Sequence, residues 1–198
     1  MFDAGDWSGA HLLDRRIVMV GGPLDDQTVG RVAAELMMLD ATGDDAVAML
    51  VDSPGGSLDA GFALMDTIGA LGVPVHATCV GRAEGAAVGV FASASRRWAA
   101  PHSRFRLCEP VTEVSGPASA LAAHAAHHQR RLERFAATLA AATGQPAEHV
   151  EADLAAGRWL DAGAAVAYGL AHALWEGRRG QDRPDPKIPP GLRPRVEE

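Results

Sequence analysis

The segment AVAMLVDSPGG, residues 46–56, joins a six-residue apolar run to a turn made of serine, proline and two glycines. The run has the length and composition of a buried strand, and the turn at 53–56 can aim a backbone N–H at a developing oxyanion. A second segment, GRAEGA at 81–86, follows after one predicted helix and one predicted strand. We interpret it as a strand-to-helix elbow that presents a catalytic serine in hydrolases, although position 85 is a glycine.

Strands and helices alternate on both sides of this segment. We predict buried strands at 16–22, 46–51 and 73–80, and helices after a cap at Asp25 or Asp26, at 58–71 and at 83–95. Apolar residues at helical spacing support the helices, and short apolar runs support the strands. The alternation predicts an α/β fold with a parallel sheet and right-handed crossovers.

The second half of the chain is predicted to be mostly helical. A long helix runs from Pro117 to Thr143 and stops at Gly144, and shorter helices follow at 148–155 and 162–168. We divide the chain into a short N-terminal segment, 1–11, a folded domain, 12–176, and a disordered tail rich in proline and arginine, 177–198.

Composition excludes several classes of function. The chain has 198 residues, 47% of them apolar, which suits one globular domain. Its net charge of −7 without a long basic run argues against a nucleic-acid partner. No apolar stretch has membrane-spanning length, and the N-terminus lacks the features of a signal peptide. Cys79 and Cys108 are too few for a disulfide framework, so we predict a soluble cytoplasmic protein with no membrane partner.

Five motifs, in the same order, resemble the proteolytic subunit of the ATP-dependent Clp protease, peptidase family S14, over about residues 12–173. They are LLDRRIV at 12–18, SPGG at 53–56, PHSR at 101–104 followed by Glu109-Pro110, TGQ at 143–145 and AVAYGL at 165–170. That family shares its fold with the crotonases. The resemblance therefore implies a repeated β-β-α superhelix with a parallel sheet and a long handle helix.

The resemblance also implies where the family's catalytic triad would lie, and all three positions are substituted. The family serine maps to Gly85, its histidine to Cys108 and its aspartate to Gly157. The two oxyanion-hole amides map to Gly56 and Ala86, and they survive because they belong to the backbone. Serine proteolysis needs a hydroxyl, an imidazole and an orienting carboxylate. The resemblance thus implies a pseudoprotease that needs no cofactor.

Two enzymatic alternatives remain open. One is a crotonase-like acyl-CoA hydratase or isomerase that uses Glu84 with the same oxyanion hole. The other is a thiol hydrolase that acts through Cys108. A metal site is not expected: His124, His127 and His128 share a helix face, but no other ligand type accompanies them.

The resemblance implies self-association into a seven-membered ring, with an active Clp protease paralogue as a second candidate partner. Three departures bear on further assembly. Residues 111–116 lack the family's paired glycines, Ala155-Ala156 replaces a charged pair, and the family's axial loop is reduced to residues 1–11. We therefore expect ring formation, but we do not expect docking to an AAA+ unfoldase.

Overall fold

The computed structural model describes residues 11–110, 117–175 and 177 of the chain. The predicted N-terminal segment apart from His11, the region 111–116 and the predicted tail beyond Gly177 lie outside the described residues. The division into a short segment, a folded domain and a disordered tail therefore stays a prediction.

The described elements alternate as the sequence predicts over the first half of the chain. In order they are β1 (Ile17–Gly21), α1 (Asp26–Ala41), β2 (Val47–Ser53), α2 (Leu58–Ala70), β3 (Val75–Glu84), α3 (Ala86–Ala92), β4 (Arg96–Ala99), β5 (Arg104–Leu107), α4 (Ala118–Thr143), α5 (Ala147–Ala156), β6 (Arg158–Asp161), α6 (Ala162–Ala167) and β7 (Ala173–Leu174).

One mostly parallel sheet, with seven strands among the described residues, organises the fold and confirms the predicted α/β class. Strands β1, β2, β3, β4 and β7 lie side by side in that order and all pair in parallel. The ten-residue strand β3 has two neighbours on one side. Its first part pairs with β4, and its last three residues, 82–84, pair in parallel with β5. Strand β6 then adds to β5 in the antiparallel sense.

The predicted helix at 83–95 is wrong at both ends, because helix α3 spans only Ala86–Ala92. Residues 81–84 continue β3, and helix α3 begins only at Ala86. The physical reason is a tertiary contact: β5 supplies partners for the end of β3, and ladder hydrogen bonds outweigh the helical preference of small residues. Glu84 is consequently the last residue of a strand and not the first of a helix.

The core lies between the sheet and the helices packed on it. Along β2, Val47, Met49 and Val51 are buried whereas Ala48 and Leu50 are partly exposed, so burial alternates with the period of a strand. Asp25 caps the N-terminus of helix α1, because its Oδ1 accepts a hydrogen bond of 2.8 Å from the Thr28 N–H. This cap confirms one of the two predicted candidates.

Helix α4 approaches α3 closely because Gly89 has no side chain. A Cβ on Gly89 would lie 2.4 Å from a ring carbon of Phe135 and 2.8 Å from the sulfur of Met65. Phe135 is fully buried, and its ring meets Phe62 edge-on with centroids 6.2 Å apart. The long helix is thereby held against the short helix that follows the elbow.

A buried carboxylate ties α5 to the strand and helix that follow it. Tyr168 donates a 2.8 Å hydrogen bond to Oδ2 of Asp153, and Nη1 of Arg158 lies 3.0 Å from the same oxygen. Asp153 is 8% exposed, and these partners replace the hydrogen bonds to water that its carboxylate loses on burial. The network fixes the turn at Gly157, where α5 ends in a left-handed cap.

Candidate functional site

The serine of the SPGG turn holds the turn together. Ser53 is fully buried, and its hydroxyl donates a 2.6 Å hydrogen bond to the Gly22 carbonyl. The same oxygen accepts a bond of 3.1 Å from the Gly55 N–H. Since both contacts are internal, Ser53 stabilises the loop and is not presented to solvent as a nucleophile.

The two residues that flank Gly56 are bonded to Leu24. The Leu24 N–H donates to the Gly55 carbonyl at 2.9 Å, and the Ser57 N–H donates to the Leu24 carbonyl at 3.3 Å. In such a parallel bridge the backbone groups of the central residue point away from that partner. The Gly56 N–H is therefore directed away from Leu24.

The turn lies directly against the elbow. Gly55 has a φ of +84°, and a Cβ on it would lie 2.4 Å from the Glu84 carbonyl oxygen and 3.5 Å from the Ala86 nitrogen. Only glycine permits this approach. The structure brings the segments of Gly56 and Ala86 into contact, while the convergence of their two N–H groups on one point stays a prediction.

Gly85 lies at the elbow between β3 and α3, in a backbone conformation with positive φ that glycine adopts readily. Its φ is 51° and its ψ is −123°, and its N–H donates a 3.1 Å hydrogen bond to the Arg106 carbonyl. Ala86 is the first residue of α3, so its N–H has no acceptor inside the helix. This strand-to-helix turn has the geometry that the sequence predicts for an elbow that presents a nucleophile. Gly85, the residue presented at this elbow, has no side chain.

Positions 85 and 108 are in contact across the sheet. A Cβ on Gly85 would lie 3.6 Å from the sulfur of Cys108, and the next atoms are the Cys108 carbonyl oxygen at 3.7 Å and the Cα of Pro110 at 3.9 Å. The structure thus brings together two of the three positions to which the resemblance assigns the triad.

The third position lies beside the second along the β5–β6 ladder but faces another side chain. The last ladder pair is Leu107 with Arg158, so Cys108 and Gly157 are next in the same register. A Cβ on Gly157 would meet the guanidinium of Arg106, with Nη2 at 3.4 Å and Nε at 3.6 Å. Arg106 could not be predicted from the local sequence, because its place in the site depends on the pairing of β5 with two other strands.

The Cys108 thiol is poorly suited to nucleophilic attack. Burial raises the pKa of Cys108, and this effect exceeds the lowering by the Arg106 cation. Near neutral pH the sulfur therefore stays protonated, whereas the thiolate is the reactive form. Cys79 is fully buried, and burial raises its pKa to about 12.

Glu84 is engaged with a neighbouring cation. Its Oε1 lies 3.7 Å from Nη1 of Arg82, and its partner across the β3–β5 ladder is Arg106. The carboxylate side chain is only 13% exposed. An acid or base at this position would therefore have to leave an ion pair before it could exchange a proton with a substrate.

The three predicted histidines lie on α4, away from the elbow. His124 and His127 are exposed, and His127 lines a groove of about 470 Å³ together with Arg131, Arg134 and Phe62. Within residues 11–110 and 117–175, no group of three or more histidine, cysteine or acidic side chains is placed to hold a metal ion. Of the described helices, none combines the length and the apolar character needed to cross a bilayer.

A family model described as Clp protease matches residues 6–178. The match covers every described strand and helix, and it includes the SPGG turn, the elbow and the positions 85, 108 and 157.

Proposed function

The chain belongs to the Clp protease family, peptidase S14, and we propose that it is a pseudoprotease, a member without peptidase activity that acts as a structural or regulatory subunit. The observation that carries the proposal is Gly85. It stands at the elbow to which the resemblance assigns the nucleophile, and it has no side chain.

The neighbours of Gly85 cannot replace the missing groups. Hydrolysis by a serine needs a base to take the hydroxyl proton and a carboxylate to orient that base. Cys108 is a protonated thiol near neutral pH because burial raises its pKa. Arg106, whose guanidinium faces Gly157, is a permanent cation and accepts no proton. The positive charge of Arg106 would also disfavour a protonated imidazole at a neighbouring position.

A ring is the assembly that we propose. Members of the family generally form rings, which supports self-association in general. Large apolar side chains remain exposed on this chain: Met19 on β1 is 41% exposed, Val80 on β3 is 38% exposed and Trp175 is 47% exposed. These three side chains are candidates for contacts in a heterologous cyclic interface. The ring would be homomeric or would include an active paralogue.

Two measurements test the proposal. The purified protein should not be labelled by serine-directed fluorophosphonates or β-lactones, and it should not cleave fluorogenic peptides. Native mass spectrometry, alone and with an active paralogue, should detect oligomers above the 20.6 kDa monomer. Peptide turnover with an adduct on a serine near Gly56 would refute the pseudoprotease, and a monomer at micromolar concentration would refute the ring.

A thiol hydrolase is the second candidate, because the Cys108 sulfur lies at the elbow. The raised pKa of Cys108 opposes it. Turnover that iodoacetamide abolishes, and that Cys108→Ala lacks, would establish this activity in place of the pseudoprotease. The crotonase alternative has weaker support, because Glu84 is ion-paired with Arg82 and the family match is to Clp protease.

A further inference from the structure

Strand β7, at the edge of the sheet, is short, and its two residues pair with Trp98 and Ala99 of β4. Just before this ladder, the His172 N–H donates to the Arg97 carbonyl at 2.9 Å. Just after it, the Trp175 N–H donates to the Ala99 carbonyl at 2.7 Å. Because a two-residue edge strand is weakly held, each contact contributes a large share of its attachment to the sheet.

One contact between the two strands uses a histidine side chain in place of a backbone carbonyl. The Arg97 N–H donates a 3.0 Å hydrogen bond to Nδ1 of His172. A ring nitrogen that accepts a hydrogen bond carries no proton, so the imidazole is neutral and its proton is on Nε2. A proton on Nδ1 would place two N–H donors against each other. The contact therefore exists only while His172 is neutral.

The surroundings of His172 favour its neutral form when β7 is attached. Burial, the Arg97 cation and the Arg96 cation all lower the pKa of His172, and burial has the largest effect. Besides β4, the strand packs mainly on α6, whose sequence AGAAVA has no ionisable side chain. Since His172 is exposed, protons from solvent reach it. The attached imidazole therefore binds a proton only below its ordinary pKa of 6.5.

The chain just before His172 is fixed by contacts that do not depend on the imidazole. The Arg97 side chain is buried, and its Nε donates a 2.8 Å hydrogen bond to the Leu170 carbonyl. Its Nη2 donates to the Gly169 carbonyl at 3.4 Å. Leu170 and Ala171 are themselves buried. Detachment of β7 would therefore stop at Ala171, and the chain would bend between this residue and His172.

We propose that β7 is an edge strand released by acid: a proton on His172 breaks its hydrogen bond to the Arg97 N–H and detaches residues 172–175 from β4, while the rest of the sheet stays folded. Because the pKa of His172 is lowered in the attached form, the attached form binds fewer protons than the released one. Release is therefore favoured as pH falls below 6.5. It would leave the carbonyls of Arg97 and Ala99 open to other donors at the sheet edge.

Hydrogen exchange of the full chain, read by mass spectrometry, tests this release. The measured quantity is the protection of segment 172–175 relative to the intrinsic exchange rate at each pH. We expect protection to fall at least about threefold between pH 7.5 and pH 5.0. The ceiling is about thirtyfold, because it is set by the difference between the ordinary histidine pKa of 6.5 and pH 5.0. Segment 47–53 in β2 should keep its protection.

Two substitutions at His172 separate the loss of the acceptor from the loss of titration. The Oδ1 of asparagine accepts a hydrogen bond but binds no proton in this range, so His172→Asn should keep segment 172–175 protected at both pH values. His172→Leu has no acceptor and should lower the protection at both. His102→Asn is the matched control, because His102 is exposed and lies between β4 and β5. It should keep the pH response.

His76 on β3 provides a further comparison, because burial and Arg96 lower its pKa as well and its ring lies 5.8 Å from that of Trp98. A pH response that persists in His172→Asn, or that is lost in His76→Asn instead, would overturn the assignment to His172. Equal protection of segment 172–175 at pH 7.5 and pH 5.0 in the unmodified protein would overturn the release itself. A parallel loss of protection in segment 47–53 would indicate general acid unfolding and would overturn it too.

Discussion

A Cβ added to Gly85 would lie 3.6 Å from the sulfur of Cys108. Gly85 directly follows β3 and Cys108 directly follows β5, and the hydrogen bond from the Gly85 N–H to the Arg106 carbonyl joins the ends of these two strands. The contact is an ordinary van der Waals distance, so a Cβ at position 85 meets no steric obstacle. Its cost is the strain of a φ of 51°.

The protein with serine at position 85 should fold but should have no peptidase activity. We expect Gly85→Ser to lower the free energy of unfolding by about 1–3 kcal/mol, because a residue with a Cβ is strained at this φ. Peptidase activity should stay absent, since the Cys108 thiol is no base for the new hydroxyl. Urea denaturation and a fluorogenic peptide assay check this. Gly85→Ala is the control, and turnover by the serine variant alone would contradict the prediction.

Rebuilding the triad should return weak activity that Arg106 limits. The variant Gly85→Ser, Cys108→His, Gly157→Asp should cleave small peptide esters or amides, and the gain should appear only when serine and histidine are both present. The new aspartate would face Arg106 at 3.4 Å from its Cβ, so it would pair with the cation as well as with the histidine.

Adding Arg106→Met to the triple variant should free the aspartate and raise kcat/KM by about tenfold. Steady-state kinetics of the triple and quadruple variants make the comparison. Equal rates would show that Arg106 does not compete for the aspartate. No activity in either variant, if both are folded, would show that the amides of Gly56 and Ala86 do not converge on an oxyanion.

Replacing Gly55 of the SPGG turn by alanine should lower the free energy of unfolding more than replacing Gly22 by alanine. Both residues have a positive φ, +84° and +76°, but a Cβ on Gly55 would lie 2.4 Å from the Glu84 carbonyl whereas a Cβ on Gly22 would meet nothing within 4 Å. We expect Gly55→Ala to cost more than about 3 kcal/mol and Gly22→Ala about 1 kcal/mol. Urea denaturation measures both, and equal losses would mean that the turn and the elbow are not in contact.

Stability should fall in alkaline solution partly because of Cys79. Burial raises the pKa of this thiol from 9.0 to about 12. Above pH 9 the unfolded chain releases this proton while the folded chain keeps it, so the unfolded state binds fewer protons and stability decreases as pH rises. One group contributes at most about 1.4 kcal/mol per pH unit.

Cys79→Ala should therefore show a shallower decline of the free energy of unfolding between pH 9 and 11 than the unmodified protein. Burial also raises the pKa of Tyr168, which adds a loss at still higher pH, so Tyr168→Phe provides a second comparison. Urea denaturation at four pH values gives the slopes. Parallel curves for the unmodified protein and Cys79→Ala would rule out a contribution from this thiol.

Local sequence patterns predicted the strands and helices whose formation depends on residues close together in the chain. The apolar runs gave β1 and β2, the periodic apolar residues gave α1 and α2, and Gly144 marked the end of α4. The short strand β5 was not predicted, because residues 104–107 alternate arginine with apolar residues over only four positions. Its pairing with β3 and β6 is a long-range event that no local pattern records.

The candidate site likewise contains residues that the sequence predicted and one that it did not. A resemblance in motif order selected Gly85, Cys108 and Gly157, and the structure brings the first two into contact and sets the third beside the second. The cation beside Gly157 could not be anticipated from its neighbours in the chain. The position of Arg106 depends on the β5–β6 ladder, which places its guanidinium over Gly157 and on the ring of Trp159.

The hydrogen bonds of Ser53 have a consequence for how such a chain changes over generations. Its hydroxyl holds the turn through Gly22 and Gly55, so loss of Ser53 would weaken the fold whether or not the protein reacts with anything. Selection for a stable fold alone is then enough to conserve the turn. Descendants that lose the reactive side chains would therefore keep the backbone conformation of the turn. Later mutations could restore reactive side chains on that backbone or adapt it to bind a new ligand.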